Sequence, residues 1–260
     1  MLYHDVYTSL VEFLPEREHY LLINELKLYP MMKKLNFRVA AYNGCLEIIK
    51  TNIGEKNKKQ WNECLELASK GGHLEVVKWF YDNGVKPSPL SLKWACKYNH
   101  INIVKYLLEN GIETSYINTE YACMNNNLDL LKLLNHHGLR PSNNCSYISC
   151  SFGFLDIVKY LHSLSFYFNE YPDTCVNIAC KNGHLEVVKY LHSINVTITD
   201  KAIQVAVVGN HLYIIKYLCS IGIVPNNWSF RLAKLYERED ILEWFNENSF
   251  LEIPLSIQVD

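Results

Sequence analysis

The sequence predicts an all-α protein, a helical solenoid of about eight helix–turn–helix repeats. A nine-residue segment, Gly183–Leu191 (GHLEVVKYL), returns in edited form along most of the chain. Its apolar residues follow helical spacing, without the alternation of a strand. Its third residue recurs at steps of 27, apart from one step of 28 and one of 30, at Leu46, Leu74, Ile101, Leu128, Leu155, Leu185, Leu212 and Glu239. Such equal units stack in one dimension, each one burying its neighbours.

The repeat divides the 260 residues into three predicted regions. Residues 1–34 lie outside it, and we expect them to form an N-terminal helical cap. Residues 35–248 form the array of eight repeats, and residues 249–260 form a short C-terminal tail. Because apolar residues make up 49% of the chain and charged residues 20%, the composition is not that of a disordered protein.

The first helix of each repeat, helix A, is predicted from three columns of residues. Positions are counted here from the leucine slot, which is position 0. Position −13 carries residues that favour a helix N-cap, namely Ser88, Ser115, Ser142, Thr199 and Asn226. Position −7 is apolar in every copy. Position −6 is small, at Ala40, Ala68, Ala95, Ala122, Ser149, Ala179, Ala206 and Ala233, which indicates a close contact with a neighbouring helix.

A reversal then leads into the second helix, helix B. Position −2 is Gly or Asn in seven copies, as at Gly72 and Asn99, and these residues adopt left-handed backbone at little cost. Acidic residues follow in the first turn of helix B, where the helix dipole favours negative charge. Helix B ends at a second Gly or Asn, such as Gly84, followed by an apolar residue such as Val85. The connector to the next helix A is short.

A period of 27 lies within the range of leucine-rich repeats, but Leu185–Leu191 lacks the alternating leucines of their strand. Two helices joined by a Gly-His turn instead resemble the ankyrin repeat, and Gly72–Lys78 (GHLEVVK) is close to that family's consensus. The usual ankyrin unit has about 33 residues, so we expect the β-hairpin finger to be shortened or absent. The family's Thr-Pro-Leu-His opening is replaced by sequences such as Leu90–Lys93 (LSLK). Short units rich in Tyr and Asn resemble the ankyrin families of amoeba-infecting giant viruses and of protists.

This resemblance implies a non-enzymatic scaffold that binds a protein partner on the inner face, formed by helices A. We expect no catalytic, cofactor-binding or metal-binding residues, because no Walker-type loop, Gly-x-Ser-x-Gly or His-Glu-x-x-His motif is present. Positions −8 and −4 vary from copy to copy and are predicted to line the binding face. The candidate partner-binding residues are Glu66, Lys70, Lys93, Lys97, Glu120, Met124, Tyr147, Asn177, Lys181 and Gln204.

Other recurring polar residues have structural interpretations. Most of the nine cysteines share columns with Ser or Ala, which predicts small buried residues rather than metal ligands or disulfides. In ankyrin-like units the histidine at position −1 bonds backbone near the turn, which the resemblance implies for His73, His100, His184 and His211. A lysine recurs at position +4, and we interpret this lysine ladder as a solvated edge compensated by the acid three residues before it. Its alternative is a surface for an anionic partner.

The remaining expectations concern location and partners. The net charge of −2 argues against nucleic acid, and no apolar run approaches the ~20 residues of a membrane helix. The N-terminus lacks a secretory signal pattern, so a cytoplasmic monomer without a small-molecule substrate or cofactor is expected. The alternative function is a substrate adaptor of a ubiquitin ligase, with residues 1–34 as its docking element. Deleting residues 1–34 separates an adaptor, which loses the ligase, from a cap, whose loss lowers stability.

Overall fold

A computed structural model describes residues 37–51, 58–113, 115–165, 172–248 and 250. The predicted cap at residues 1–34 and most of the tail lie outside these ranges. Within them the chain forms sixteen helices and no strand. In chain order they are α1 Phe37–Tyr42, α2 Leu46–Thr51, α3 Lys58–Gly71, α4 Leu74–Asp82, α5 Pro89–Lys97, α6 Ile101–Glu109, α7 Ile117–Met124, α8 Leu128–His136, α9 Asn143–Phe152, α10 Leu155–Ser163, α11 Pro172–Lys181, α12 Leu185–Ser193, α13 Lys201–Val208, α14 Leu212–Ser220, α15 Asn227–Leu235 and α16 Glu239–Glu247.

The odd-numbered helices are helices A and the even-numbered ones are helices B. The described residues fall into two compact units: those up to 122 together with 136–139, and 123–135 together with those from 140 onward. In the first unit, α1, α3 and α5 pack side by side, and each contacts its own helix B. In the second unit, α9, α11, α13 and α15 pack in the same way. The predicted fold class, an all-α helical solenoid of stacked helix pairs, is therefore confirmed.

The small residues at position −6 allow the helices A to pack closely. All eight of them, from Ala40 to Ala233, are 0% exposed. The cysteines beside them at position −5 are also buried, and burial raises the pKa of the Cys96 and Cys180 thiols to about 12. Neutral thiols at these positions act as small apolar groups, which confirms the predicted packing role of this column.

The helices B supply most of the large side chains in the apolar core. In the repeat that carries the full motif, Val187, Val188 and Leu191 are buried against neighbouring helices. The same three positions are buried in five other repeats, for example at Val76, Val77 and Phe80. Burying one such side chain contributes about 1.5–3 kcal/mol. A single pair of short helices has little stability alone, so contacts between repeats stabilise the fold.

Helix B ends as the sequence predicts. Gly84 has φ +83°, and the Val85 amide donates to the Phe80 carbonyl at 3.0 Å, so a left-handed cap closes α4. The connectors that follow contain no strand in the described residues, in agreement with the predicted loss of the β-hairpin finger. None of the described helices has the length and apolar content that a bilayer crossing requires.

The start of helix A differs from the prediction. Ser88 and Ser142 occupy the N-cap position, but neither side chain bonds the helix backbone. The Ser88 hydroxyl instead donates to a Glu66 carboxylate oxygen at 2.6 Å, because a charged acceptor makes the stronger bond. Asn226 does cap α15, accepting from the Ser229 amide at 3.0 Å. The N-cap of α13 is Asp200 rather than Thr199.

Candidate protein-binding face

The turn between helix A and helix B is tied to the preceding repeat. His100 Nε2 donates to the Lys70 carbonyl at 3.0 Å, and His184 Nε2 donates to the Ser151 carbonyl at 2.9 Å. In the last repeat an arginine takes the place of the histidine, and Arg238 donates to the carbonyl of Val208 at 2.9 Å. The resemblance implied histidine bonds to the backbone, and these bonds are confirmed. They run to the end of the previous helix A, which they hold in place.

The imidazole also occupies the space beside the turn residue of the previous repeat. A Cβ added to Gly72 would lie 2.6 Å from a ring atom of His100, and one added to Gly183 would lie 2.7 Å from His211. Both glycines also have positive φ. Glycine is therefore favoured at these positions for two reasons: it adopts the left-handed backbone, and it leaves room for the imidazole. Asn replaces Gly at position −2 only where the next repeat has no histidine at position −1, as in Asn99 before Asn127, Asn126 before Phe154, and Asn210 before Arg238.

At the C-terminal ends of α3 and α5, lysine and aromatic side chains form a cluster in the first unit. The Lys70 ammonium lies 5.5 Å from the ring centroid of Tyr42, 5.4 Å from Trp94 and 5.6 Å from Tyr98. The Lys97 ammonium lies 5.4 Å from the Trp94 ring centroid. We call these five residues the Lys70 patch. Cations at such distances over ring faces are held by the ring quadrupoles.

Two acidic side chains of α3 are engaged outside this patch. Glu63 forms an ion pair with Arg38 at 2.6 Å, and Glu66 accepts the hydroxyl proton of Ser88. Among the described residues, Lys70 takes part in no ion pair. The patch therefore presents positive charge beside exposed aromatic surface, since the Tyr98 side chain is 43% exposed.

The ten predicted partner-binding residues fall into three groups. Lys97, Met124, Tyr147 and Lys181 are exposed. Glu66, Lys70, Lys93 and Gln204 are half-buried at the surface. Glu120 and Asn177 are only 7% and 8% exposed, so they do not offer the surface that their column predicted.

The burial of these two residues follows from their place on the helix. Position −8 borders the buried positions −9 and −10, so packing next to it decides whether it is exposed. The structure brings Glu66, Lys70, Lys93 and Lys97 together on α3 and α5, and the other exposed candidates lie in the second unit. Trp94 and Tyr98 were not predicted as surface residues. The sequence feature that could have indicated them is the occurrence of aromatic residues next to lysines near the end of helix A.

The lysine ladder lies on helices B and is largely compensated. Lys50, Lys78 and Lys189 pair with the acid three residues before them at 2.8–2.9 Å, as predicted. Lys132, Lys159 and Lys216 lie 5.9 Å over the rings of Tyr160, Tyr190 and Trp244, respectively. The ion pairs neutralise three of the ladder's lysines, which favours the structural interpretation of the ladder over an anionic-surface site.

Helix pairs that bury small residues and expose variable ones define a solenoid repeat protein. A family model for ankyrin repeats matches residues 37–118, 119–200 and 147–228. The chain belongs to the ankyrin repeat family, as its motifs predicted. Ankyrin repeats are generally non-enzymatic modules that bind protein partners.

Solved structures support the same fold. The human ASB11 ankyrin repeat domain matches with a TM-score of 0.54 and 22% identity, covering 63% of this chain and 85% of that chain. At this identity the match shows the fold alone. No protein of curated function matches the sequence significantly.

Proposed function

We propose that the chain is a non-enzymatic scaffold that binds a protein partner on the exposed parts of its helices A. One contrast supports this proposal. Position −6 is small and buried in every described repeat, whereas positions −8 and −4 differ between repeats and are at least partly exposed everywhere except at Glu120 and Asn177. Packing fixes the first set, so the second set is available for recognition. Residues on rigid helices also lose little conformational freedom when a partner binds.

The proposal predicts that a bound protein lies against helices A rather than along the lysine ladder. A photo-crosslinking amino acid is placed singly at Lys97 or Tyr147 on helices A, and at Lys105 or Lys159 on helices B as matched exposed controls. After irradiation in the native cell, adducts are identified by mass spectrometry. We expect a common protein adduct from the helix A positions and a weaker signal from the controls.

Adducts formed only from the helix B positions would contradict the proposal. Equal adducts from all four positions would indicate unspecific proximity and would contradict it too. The crosslinker replaces exposed residues whose truncation changes stability little, so each variant is expected to keep the melting temperature of the parent chain.

A further inference from the structure

The Lys70 patch differs from the corresponding surface in every described repeat of the second unit. Position −4 is Tyr42, Lys70 and Lys97 in α1, α3 and α5. In α9, α11, α13 and α15 it is Ser151, Lys181, Val208 and Leu235, of which only Lys181 is a lysine. Position −7 is Trp94 in the patch and aliphatic in those helices, at Ile148, Ile178, Val205 and Leu232. The cluster of two lysines and three aromatic rings is therefore a local feature and is not required by the repeat.

Helix stability alone does not account for these lysines. A lysine in the last turn of a helix interacts favourably with the helix dipole, and both Lys70 and Lys97 lie in a last turn. However, α9 and α13 end without a basic residue in the last turn and form full helices. The dipole also gives no reason for three rings to surround one ammonium group. The arrangement holds Lys70 at the surface in a defined position.

Two further contacts make the patch rigid. The carbonyl of Lys70 accepts the imidazole proton of His100, which fixes the last turn of α3. The ammonium groups of Lys70 and Lys97 each lie 5.4 Å from the centroid of the Trp94 ring. A surface that is already ordered before binding loses less entropy when a partner arrives.

We infer that the Lys70 patch binds an acidic polypeptide segment, an inference that rests on the proposed scaffold function. Carboxylates of the segment pair with Lys70 and Lys97, and an apolar side chain beside them packs on Trp94 and Tyr98. Tryptophan and tyrosine are the residue types that most often dominate binding energy at protein interfaces. Complementary charge supplies orientation and speeds association.

The charge of the chain favours a peptide over a nucleic acid. Binding to a phosphate backbone requires a stripe of cations, and affinity grows with the number of phosphates neutralised. The patch has two lysines with Lys93 nearby, and the chain has a net charge of −2. A short run of carboxylates matches this small, localised charge.

The test is selection of short peptides from a random displayed library against the full chain. We expect the selected sequences to be enriched in Asp and Glu. Their affinity is then measured by fluorescence anisotropy for the parent chain and for the double variant Lys70→Gln/Lys97→Gln. The patch variant is expected to bind about tenfold more weakly, and the affinity for the parent chain is expected to fall with added salt.

The matched control is Lys201→Gln/Lys234→Gln, which removes two exposed lysines from helices A of the second unit. It changes the net charge equally and is expected to leave the affinity within about twofold. Equal losses in both variants would show attraction to overall charge and would overturn the inference. Circular dichroism melts of the two double variants are expected to match that of the parent chain.

Other results separate this inference from the proposed function. Selected peptides without acidic enrichment, or a failure to select any peptide, overturn the acidic partner. If crosslinking still identifies a protein at Tyr147, the scaffold function remains while the patch assignment fails. Tighter binding of a single-stranded oligouridine than of the acidic peptides, lost in the same patch variant, would also overturn the inference, in favour of nucleic acid.

Discussion

The turns at Gly72 and Asn210 have similar left-handed backbones, with φ values of +84° and +65°, but they carry different residues. At Gly72 the imidazole of His100 lies where a Cβ would project. The turn at Asn210 precedes a repeat with Arg238, whose guanidinium reaches the Val208 carbonyl. The residue at a turn therefore depends on the side chain one repeat later as well as on its own φ. Backbone preference alone does not distinguish the two turns.

The largest expected loss of stability comes from replacing the glycine of a turn with asparagine. Gly72→Asn keeps a residue that accepts positive φ but brings its Cβ against the His100 ring. We expect a loss of about 2–3 kcal/mol in the free energy of unfolding. Urea denaturation followed by circular dichroism measures this loss.

The chain offers a matched control for this substitution. Gly84 has nearly the same φ, +83°, with no atom within 4 Å of an added Cβ. Gly84→Asn is expected to cost only about 0.5 kcal/mol. In the double variant Gly72→Asn/His100→Asn, which recreates the natural pair Asn99 and Asn127, much of the loss is expected to return as a coupling energy. Equal costs at the two glycines, or no coupling, would contradict the steric explanation.

A smaller loss of stability is expected when the histidine at a turn is protonated at low pH. Burial lowers the pKa of His211, the bond to the Lys181 carbonyl opposes this shift, and the charges of His184 and Arg238 lower the pKa further. The unfolded chain therefore takes up this proton before the folded chain does. The contribution of neutral His211 is complete above its ordinary value of 6.5, and it is lost as the pH falls from there to the lowered pKa.

We expect His211→Asn to reduce this acid sensitivity. Melting temperatures are compared at about pH 7.5 and about pH 5.5 for both chains. The substitution also removes a hydrogen bond, so only the change between the two pH values is informative. The same drop in both chains would show that His211 does not contribute to the pH dependence of stability.

The smallest effect is expected for the reverse exchange, Asn210→Gly. Glycine relieves the strain of positive φ but increases the entropy of the unfolded chain, and the two terms nearly cancel. The free energy of unfolding should change by less than about 0.5 kcal/mol. A change of more than about 1 kcal/mol in either direction would indicate a contact of the Asn210 side chain that the comparison omits.

Sequence periodicity predicted the features that local chemistry determines. The small column at position −6 and the left-handed residues at both ends of helix B follow from residue types at fixed spacing. The short repeat period predicted the short connectors, which contain no strand in the part of the chain that the structure describes. The burial of Glu120 and Asn177 could not be predicted from the repeat pattern. Position −8 borders a buried stripe of the helix, so its exposure depends on the neighbouring side chains. The hydroxyl of Ser88 was predicted to cap a helix, but Glu66 of the preceding repeat competes for it.

The Lys70 patch was only partly predictable. Lys70 and Lys97 were selected because their column varies, but Trp94 was assigned to an apolar packing column. Its ring meets Lys70 because α3 and α5 are neighbours, and a column-by-column comparison does not combine residues of adjacent repeats. The dependence of Gly72 on His100 was also present in the sequence, 28 residues apart, but only the position of the imidazole explains it.

The contact between each imidazole and the preceding glycine sets a rule for how such genes can be rearranged. Tandem duplication of the unit containing Gly72 and His73 places a histidine after a glycine, which the fold accepts. Duplication of the unit containing Asn99 and His100 places a histidine after an asparagine, a junction that the seven natural ones avoid. Recombination between copies is therefore expected to give a stable fold only when each unit that has histidine before helix B follows a unit with glycine at the turn. Repeat arrays engineered from this chain must keep the same order of units.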